Sequence, residues 1–233
     1  MAVENGLIEN TQQLILTEIQ LSGELERIEK EPFELVILLH GLESSYVDFK
    51  QIIETCPKNK NVVLLFPKAS IRYMTLFKKE MHSWSDIISG DFEIGKLDWI
   101  SFENNVSALL NWIIRIKNQY RVSKTVVGGF SQGGFNVWTG IKKLKEETDG
   151  MAIFSTSLND ESISRMQFDI RDYPFFYSYG KEDIMMPYQY CEKTNKAMST
   201  IFKSRRLTSF VEDFGHEINK ESAKTFWAWQ NQI

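Results

Sequence analysis

The sequence predicts an α/β protein with a mostly parallel sheet flanked by helices, on three observations. Short apolar runs rich in β-branched residues alternate with segments of helical spacing through most of the chain. Parallel strands need crossover connections, and helices supply them. One such run, VVGGF, passes through a serine between paired glycines straight into helix-forming residues. Finally, 233 residues with 42% hydrophobic content are enough to bury a full core, and the chain has no repeat, low-complexity stretch or Pro/Gly/Ser-rich linker. A single domain spanning residues 1–233 is the expectation.

Taken in order, the strand candidates are 14–20, 33–40, 61–66, 124–130, 151–157, 174–180 and 206–214. The helical segments are 46–56, 103–120, 132–147, 187–202 and one from Lys220 onward. The first two runs have no helix between them, which predicts an antiparallel edge. Residues 67–98 follow a strand yet show neither period. A connection of that length in a compact domain is often functional, and ligands of open α/β sheets bind beyond the strands' C-terminal ends. Part of the substrate site is expected there.

Composition excludes several classes of function. The net charge is −4 and the basic residues are scattered among acids, which argues against nucleic acid as a partner. No apolar run approaches the roughly 20 residues that cross a bilayer, and the N-terminus lacks a basic region followed by a long apolar stretch. A cytoplasmic protein without a membrane span is expected. Cys56 and Cys191 have no CxxC or Cys/His ligand spacing, so free thiols are expected and no metal or other cofactor is called for. The sequon at Asn105 lies inside a helical pattern, where a glycan would be awkward.

The chemistry gathers around Val126–Gly134, VVGGFSQGG. A strand that ends in Gly-x-Ser-x-Gly and enters a helix is a nucleophile elbow. Gly129 and Gly133 give room for a turn too tight for a Cβ. The turn exposes the Ser131 hydroxyl and leaves the Gln132 amide at a helix start, where free N–H groups stabilise an oxyanion. A glycine-rich turn that binds a phosphate or nothing is the bland alternative. It would use GxGxxG or GxxxxGK[ST] spacing, which is absent.

Serine needs a base, and the base needs an orienting carboxylate, in the order Ser, acid, His. Of His40, His82 and His216 only the last follows Ser131, in a glycine-containing turn between the last strand and the last helix. Asp183 sits immediately beyond the strand 174–180, on the same sheet edge as the elbow. Asp169 and Asp172 precede that strand, Glu182 is adjacent to Asp183, and Asp213 shares the histidine's turn and is the second choice. The second oxyanion donor is expected from the loop after an early strand, where His40-Gly41 makes the amide of Leu42 the candidate. His40 itself reads as a structural histidine bonded to backbone.

With these turns in place, the chain resembles the phospholipase/carboxylesterase family of α/β-hydrolases, which includes acyl-protein thioesterases. The likeness runs through LVILLHGLESS (35–45), HSWSDI (82–87), GGFSQGG (128–134), YGKEDIMMP (179–187) and GHEI (215–218). It implies an α/β-hydrolase fold with no large cap domain and a Ser131–His216–Asp183 triad. It further implies an ester or thioester substrate whose acyl group is carried by a small molecule, a lipid or an S-acylated protein, with Trp84 contacting substrate. Ile71, Tyr73, Met74, Leu76, Phe77 and Met81 then line an acyl groove or serve as core. The family commonly has glycine at the position of Glu43, an aromatic at Ser85, His-Gly at 179–180 and a Ser-Gly-containing loop at 155–160. Those departures fall around the pocket. A lysophospholipase or general short-chain esterase uses the same triad, and a catalytically silent hydrolase serving as a binding module is the reading from another class.

Overall fold

In the computed structural model, residues 15–22, 31–88, 98–165 and 169–233 are described. Strands β1 (Ile15–Ser22) and β2 (Phe33–Leu39) are followed by a 3-10 turn at Tyr46–Phe49 and helix α1 (Lys50–Glu54). Next come β3 (Val62–Lys68) and the strands β4 (Ile71–Met74) and β5 (Lys79–His82). Helix α2 (Trp99–Gln119), β6 (Val122–Phe130), α3 (Gln132–Thr139) and α4 (Ile141–Leu144) form the middle of the chain. The remainder is β7 (Gly150–Phe154), α5 (Asp160–Ser164), β8 (Phe175–Gly180), α6 (Tyr188–Ile201), β9 (Leu207–Glu212) and α7 (Lys220–Gln230).

The main sheet runs β1-β3-β2-β6-β7-β8-β9, parallel throughout except for β1. The antiparallel edge is present, but β1 pairs with β3 and not with β2 as its sequence position suggested. Adjacency in the chain misleads here because β2 is flanked on both sides by parallel partners, β3 and β6.

Being buried on both faces explains why β2 reads as a continuous apolar run. Leu35, Ile37 and Leu39 enter one core with Phe102, Leu109 and Ile113 of α2 and Trp138 of α3. Val36 and Leu38 enter the other, with Ile52 of α1 and Phe226, Trp227 and Trp229 of α7. The Trp227 and Trp229 pair is thus packing, and the Trp227 indole donates to the Ile52 carbonyl at 3.0 Å.

Three boundaries differ from the sequence reading for local reasons. The 151–157 run stops at Phe154, because Ser155 takes a left-handed φ of 45°. The helix expected over 132–147 is broken at Gly140, where a Cβ would stand 2.5 Å from Val106 of α2. The 67–98 segment is partly regular: β4 and β5 pair as an antiparallel hairpin with Ile71 opposite His82. Residues 89–97 of that segment lie outside the described residues.

Candidate active site

Ser131 follows the last residue of β6 and precedes α3, with φ 52° and ψ −119°. A non-glycine residue in that conformation is strained and must be held by its surroundings. Its N–H donates to the Phe154 carbonyl at 2.9 Å. Its carbonyl accepts from the Phe135 N–H at 3.1 Å and from the Thr156 hydroxyl at 3.0 Å. The glycines are required by close approach: a Cβ on Gly129 would lie 2.3 Å from the Gly133 carbonyl carbon, and one on Gly133 2.0 Å from the Leu39 carbonyl oxygen. The second value shows that α3 starts against the end of β2, so the elbow and the 40–44 turn meet backbone to backbone.

Asp183 lies three residues beyond β8 and its side chain is fully buried. One carboxylate oxygen accepts from the Met185 and Met186 amides at 2.8 and 2.7 Å. The other meets Nδ1 of His216 at 2.7 Å. A carboxylate fully engaged by three N–H donors holds the imidazole as its Nδ1–H tautomer and leaves Nε2 without a proton. The competing acids are elsewhere: Asp213 pairs with Lys181 in solvent, Asp169 with Arg171 and Asp172 with Lys203. Gly180 allows the acid and base turns to touch, since a Cβ there would meet the Phe214 carbonyl oxygen at 1.9 Å. The His216 ring packs on Phe130, the residue before Ser131, with ring centroids 4.7 Å apart. Beside it a cavity of about 250 Å³ is lined by Asp48, Lys50, Gln51, Phe130, His216 and Glu217, among others.

On the opposite flank, the 40–44 turn is held by side chains from several elements. His40 is buried, and Nε2 accepts the Ala69 N–H at 3.0 Å, so Nδ1 carries the proton donated to the Gly41 carbonyl at 2.5 Å. Burial, partly offset by the Gly41 bond and Asp48, pulls its pKa below the ordinary histidine value. The Gly41 N–H donates to Asp48 at 2.7 Å. Among the described residues no acceptor within the chain engages the N–H of Leu42 or of Gln132.

Trp84 is 1% exposed and its indole donates to the His40 carbonyl at 2.7 Å. The residue whose motif suggests substrate contact thus supports the 40–44 turn through its indole. The Gln132 side chain ties the elbow to the same segment, accepting the Trp84 N–H at 3.1 Å and donating to the Ser85 carbonyl at 3.0 Å. That pairing also fixes the amide's orientation, because a flip would set like groups against each other. Asn105 donates to the Trp84 carbonyl and is buried, which removes it as a glycan acceptor. The suspected groove residues divide: Met74 and Met81 are buried, whereas Ile71, Tyr73, Leu76 and Phe77 are exposed.

A family model described as Phospholipase/Carboxylesterase matches residues 23–228. This chain belongs to the phospholipase/carboxylesterase family. Membership makes it a hydrolase of the esterase type, and the fold agrees with solved members of the wider class. Acyl-protein thioesterase 2 of Zea mays superposes with a TM-score of 0.71 at 17% identity, over 92% of this chain and 98% of that one. SOBER1 of Arabidopsis thaliana gives 0.68 at 19% identity, over 85% and 98%. The Bacillus cereus carboxylesterase gives 0.65 at 13% identity, over 96% and 95%. A search of curated proteins finds no match by sequence.

Within this esterase-family site, motif reading finds groups that sit on their turns but misses those that act across the fold. The motif marks the Gln132 backbone N–H but gives no sign of the bonds its side chain makes to the Trp84 segment. Thr156 carries no sequence signal, and Asn105 stands out only as a sequon. Among the described residues no group of three or more His, Cys, Asp or Glu is placed to hold a metal ion, and no helix is long and apolar enough to cross a membrane.

Proposed function

We propose that this chain is a serine esterase or thioesterase acting through Ser131, His216 and Asp183, with the Leu42 and Gln132 amides as oxyanion donors. The observation that carries the reading is the 2.7 Å bond from His216 to a buried Asp183, in the turn that packs on the strained Ser131 elbow. Nε2 of His216 accepts the Ser131 proton as Oγ attacks the acyl carbon. The carbonyl oxygen becomes an oxyanion held by the two N–H groups. Collapse expels the alcohol or thiol, which takes its proton from His216, and a water activated by the same imidazole hydrolyses the acyl-serine. Asp183 stays ionised and stabilises the imidazolium.

Substrates on this reading are acyl oxyesters or thioesters whose acyl group is carried by a small molecule, a lipid or an S-acylated protein. Exposed apolar side chains are present on the hairpin, at Ile71, Tyr73, Leu76 and Phe77, and beside Asp183, at Ile184 and Met185. They suit an acyl chain. Cys56 and Cys191 are not joined in a disulfide, in keeping with a cytoplasmic setting, and burial pushes the Cys191 thiol up to about 12, too high for a nucleophile at neutral pH.

The test compares wild type with Ser131→Ala for labelling by a fluorophosphonate probe and for hydrolysis of p-nitrophenyl esters and acyl thioesters of increasing length. Labelling and turnover confined to wild type are expected, with kcat falling by about 10⁴-fold or more in the variant. Folded wild-type protein that neither labels nor turns over would instead make it a binding module.

A further inference from the structure

We propose that Glu43 is a positioning residue that latches the oxyanion turn to the β4–β5 hairpin and thereby sets the aim of the Leu42 amide. The proposal rests on the reading of Leu42 as an oxyanion donor. Glu43 has φ 52°, in the left-handed region where glycine is at ease and a side chain costs about 1 kcal/mol. A charged residue there needs a compensating contact, and it has one. The Glu43 N–H donates to the His82 carbonyl at 2.8 Å, and its carboxylate accepts the His82 N–H at 2.6 Å. A glycine could make only the first of these bonds.

His82 ends β5, and from it the bonds run back to the start of the turn. Its Nδ1 lies 2.9 Å from the Ala69 carbonyl and so donates to it. The Ala69 N–H donates to Nε2 of His40, and the proton on Nδ1 of His40 goes to the Gly41 carbonyl. The circuit is closed through Glu43, His82, Ala69, His40 and Gly41. Leu42 lies inside it. Because the Gly41 carbonyl and the Leu42 N–H belong to one planar peptide group, holding the first sets the direction of the second. Glu43 fixes the other end. The two histidines outside the triad therefore serve the oxyanion turn, and the Glu43 carboxylate is the exposed link that can be cut without opening the core.

The experiment measures kcat and KM for p-nitrophenyl butyrate in wild type, Ser131→Ala, Glu43→Ala, Glu43→Gly and Glu43→Gln, with backbone amide exchange over residues 41–45. In Glu43→Ala and Glu43→Gly, kcat is expected to fall roughly tenfold with KM within about twofold, a part of the 10²–10³ that follows from deleting a whole donor. Exchange over 41–45 should rise in both. Glu43→Gln, whose side-chain oxygen accepts the same N–H, should return kcat to within about threefold of wild type. Glycine also removes the backbone strain, so a Glu43→Gly enzyme as fast as wild type would overturn the proposal, as would an unaffected Glu43→Ala. Wild type without Ser131-dependent turnover would bring down the oxyanion reading and this proposal with it, a failure seen in the control and distinct from the others.

Discussion

On one flank of Ser131, Asp183 and His216 are joined by a direct bond, and Asp183 is fixed by amides two and three residues further along its own turn. On the other flank, the 40–44 turn is held by Asp48, Ala69, His82 and Trp84, contributed by three separate segments. The first arrangement is local and short. The second is a network whose bonded members lie up to 48 residues apart and whose hub, Gln132, joins the elbow to the Trp84 segment. A local device concentrates its chemistry in one or two atoms, whereas a network spreads it and couples it to folding. Substitutions on the two flanks should therefore divide between activity and stability in opposite proportions.

Asp183→Asn is expected to have the largest effect on rate. The asparagine oxygen can still accept from Met185 and Met186, which turns its NH₂ toward Nδ1 of His216. The imidazole must then carry its proton on Nε2, where it cannot act as base. A loss of about 10⁴ in kcat is expected with a nearly unchanged melting temperature, as the wrong tautomer predicts. A loss of less than about tenfold would show that Asp183 does not orient the base.

Gln132→Ala should invert that pattern. Its backbone N–H remains, but the buried Trp84 N–H loses its partner, at about 1–3 kcal/mol, while the Ser85 carbonyl keeps the Ser83 hydroxyl at 2.6 Å. Thermal denaturation should show a fall of roughly 5–10 °C. The loss in kcat should be about tenfold, far below that of Asp183→Asn. A variant with normal stability and a 10⁴-fold slower rate would refute the division between the flanks.

The same contrast explains how much could be read from the sequence. Ser131, Asp183 and His216 are legible because each sits at a fixed offset from a strand end, and strand ends are marked by apolar runs and glycines. The parallel order of the sheet follows from alternation of period. The partner of β1 does not, because pairing at an edge depends on which strand the interior has left free. His40 was legible as a histidine bonded to backbone, but the roles of the Gln132 side chain, Thr156 and Asn105 depend on which loops come together above the sheet, and no spacing within one segment encodes that. Trp84 is legible as a motif residue, but the bond from its indole to the His40 carbonyl depends on the fold and not on the motif.

The smallest expected effect concerns pH and again separates the flanks. His40 is buried and neutral, and its pKa lies below the ordinary value of ~6.5 because burial outweighs the Gly41 bond and Asp48, with His82 and Lys68 acting in the same sense as burial. The unfolded chain then binds a proton more readily than the folded one as the pH falls through that value, so stability rises with pH across the window and is lost toward acid. Protonation would also place a second donor on Nε2, against the Ala69 N–H it now accepts. One such group contributes a slope of at most about 1.4 kcal/mol per pH unit below pH ~6.5. Urea denaturation at pH 7.5 and 5.5 should show a smaller acid loss in His40→Asn than in wild type, although the variant is less stable at both. An equal acid loss in the two proteins would place the titrating group elsewhere and leave His40 as a support for the turn whose protonation does not matter.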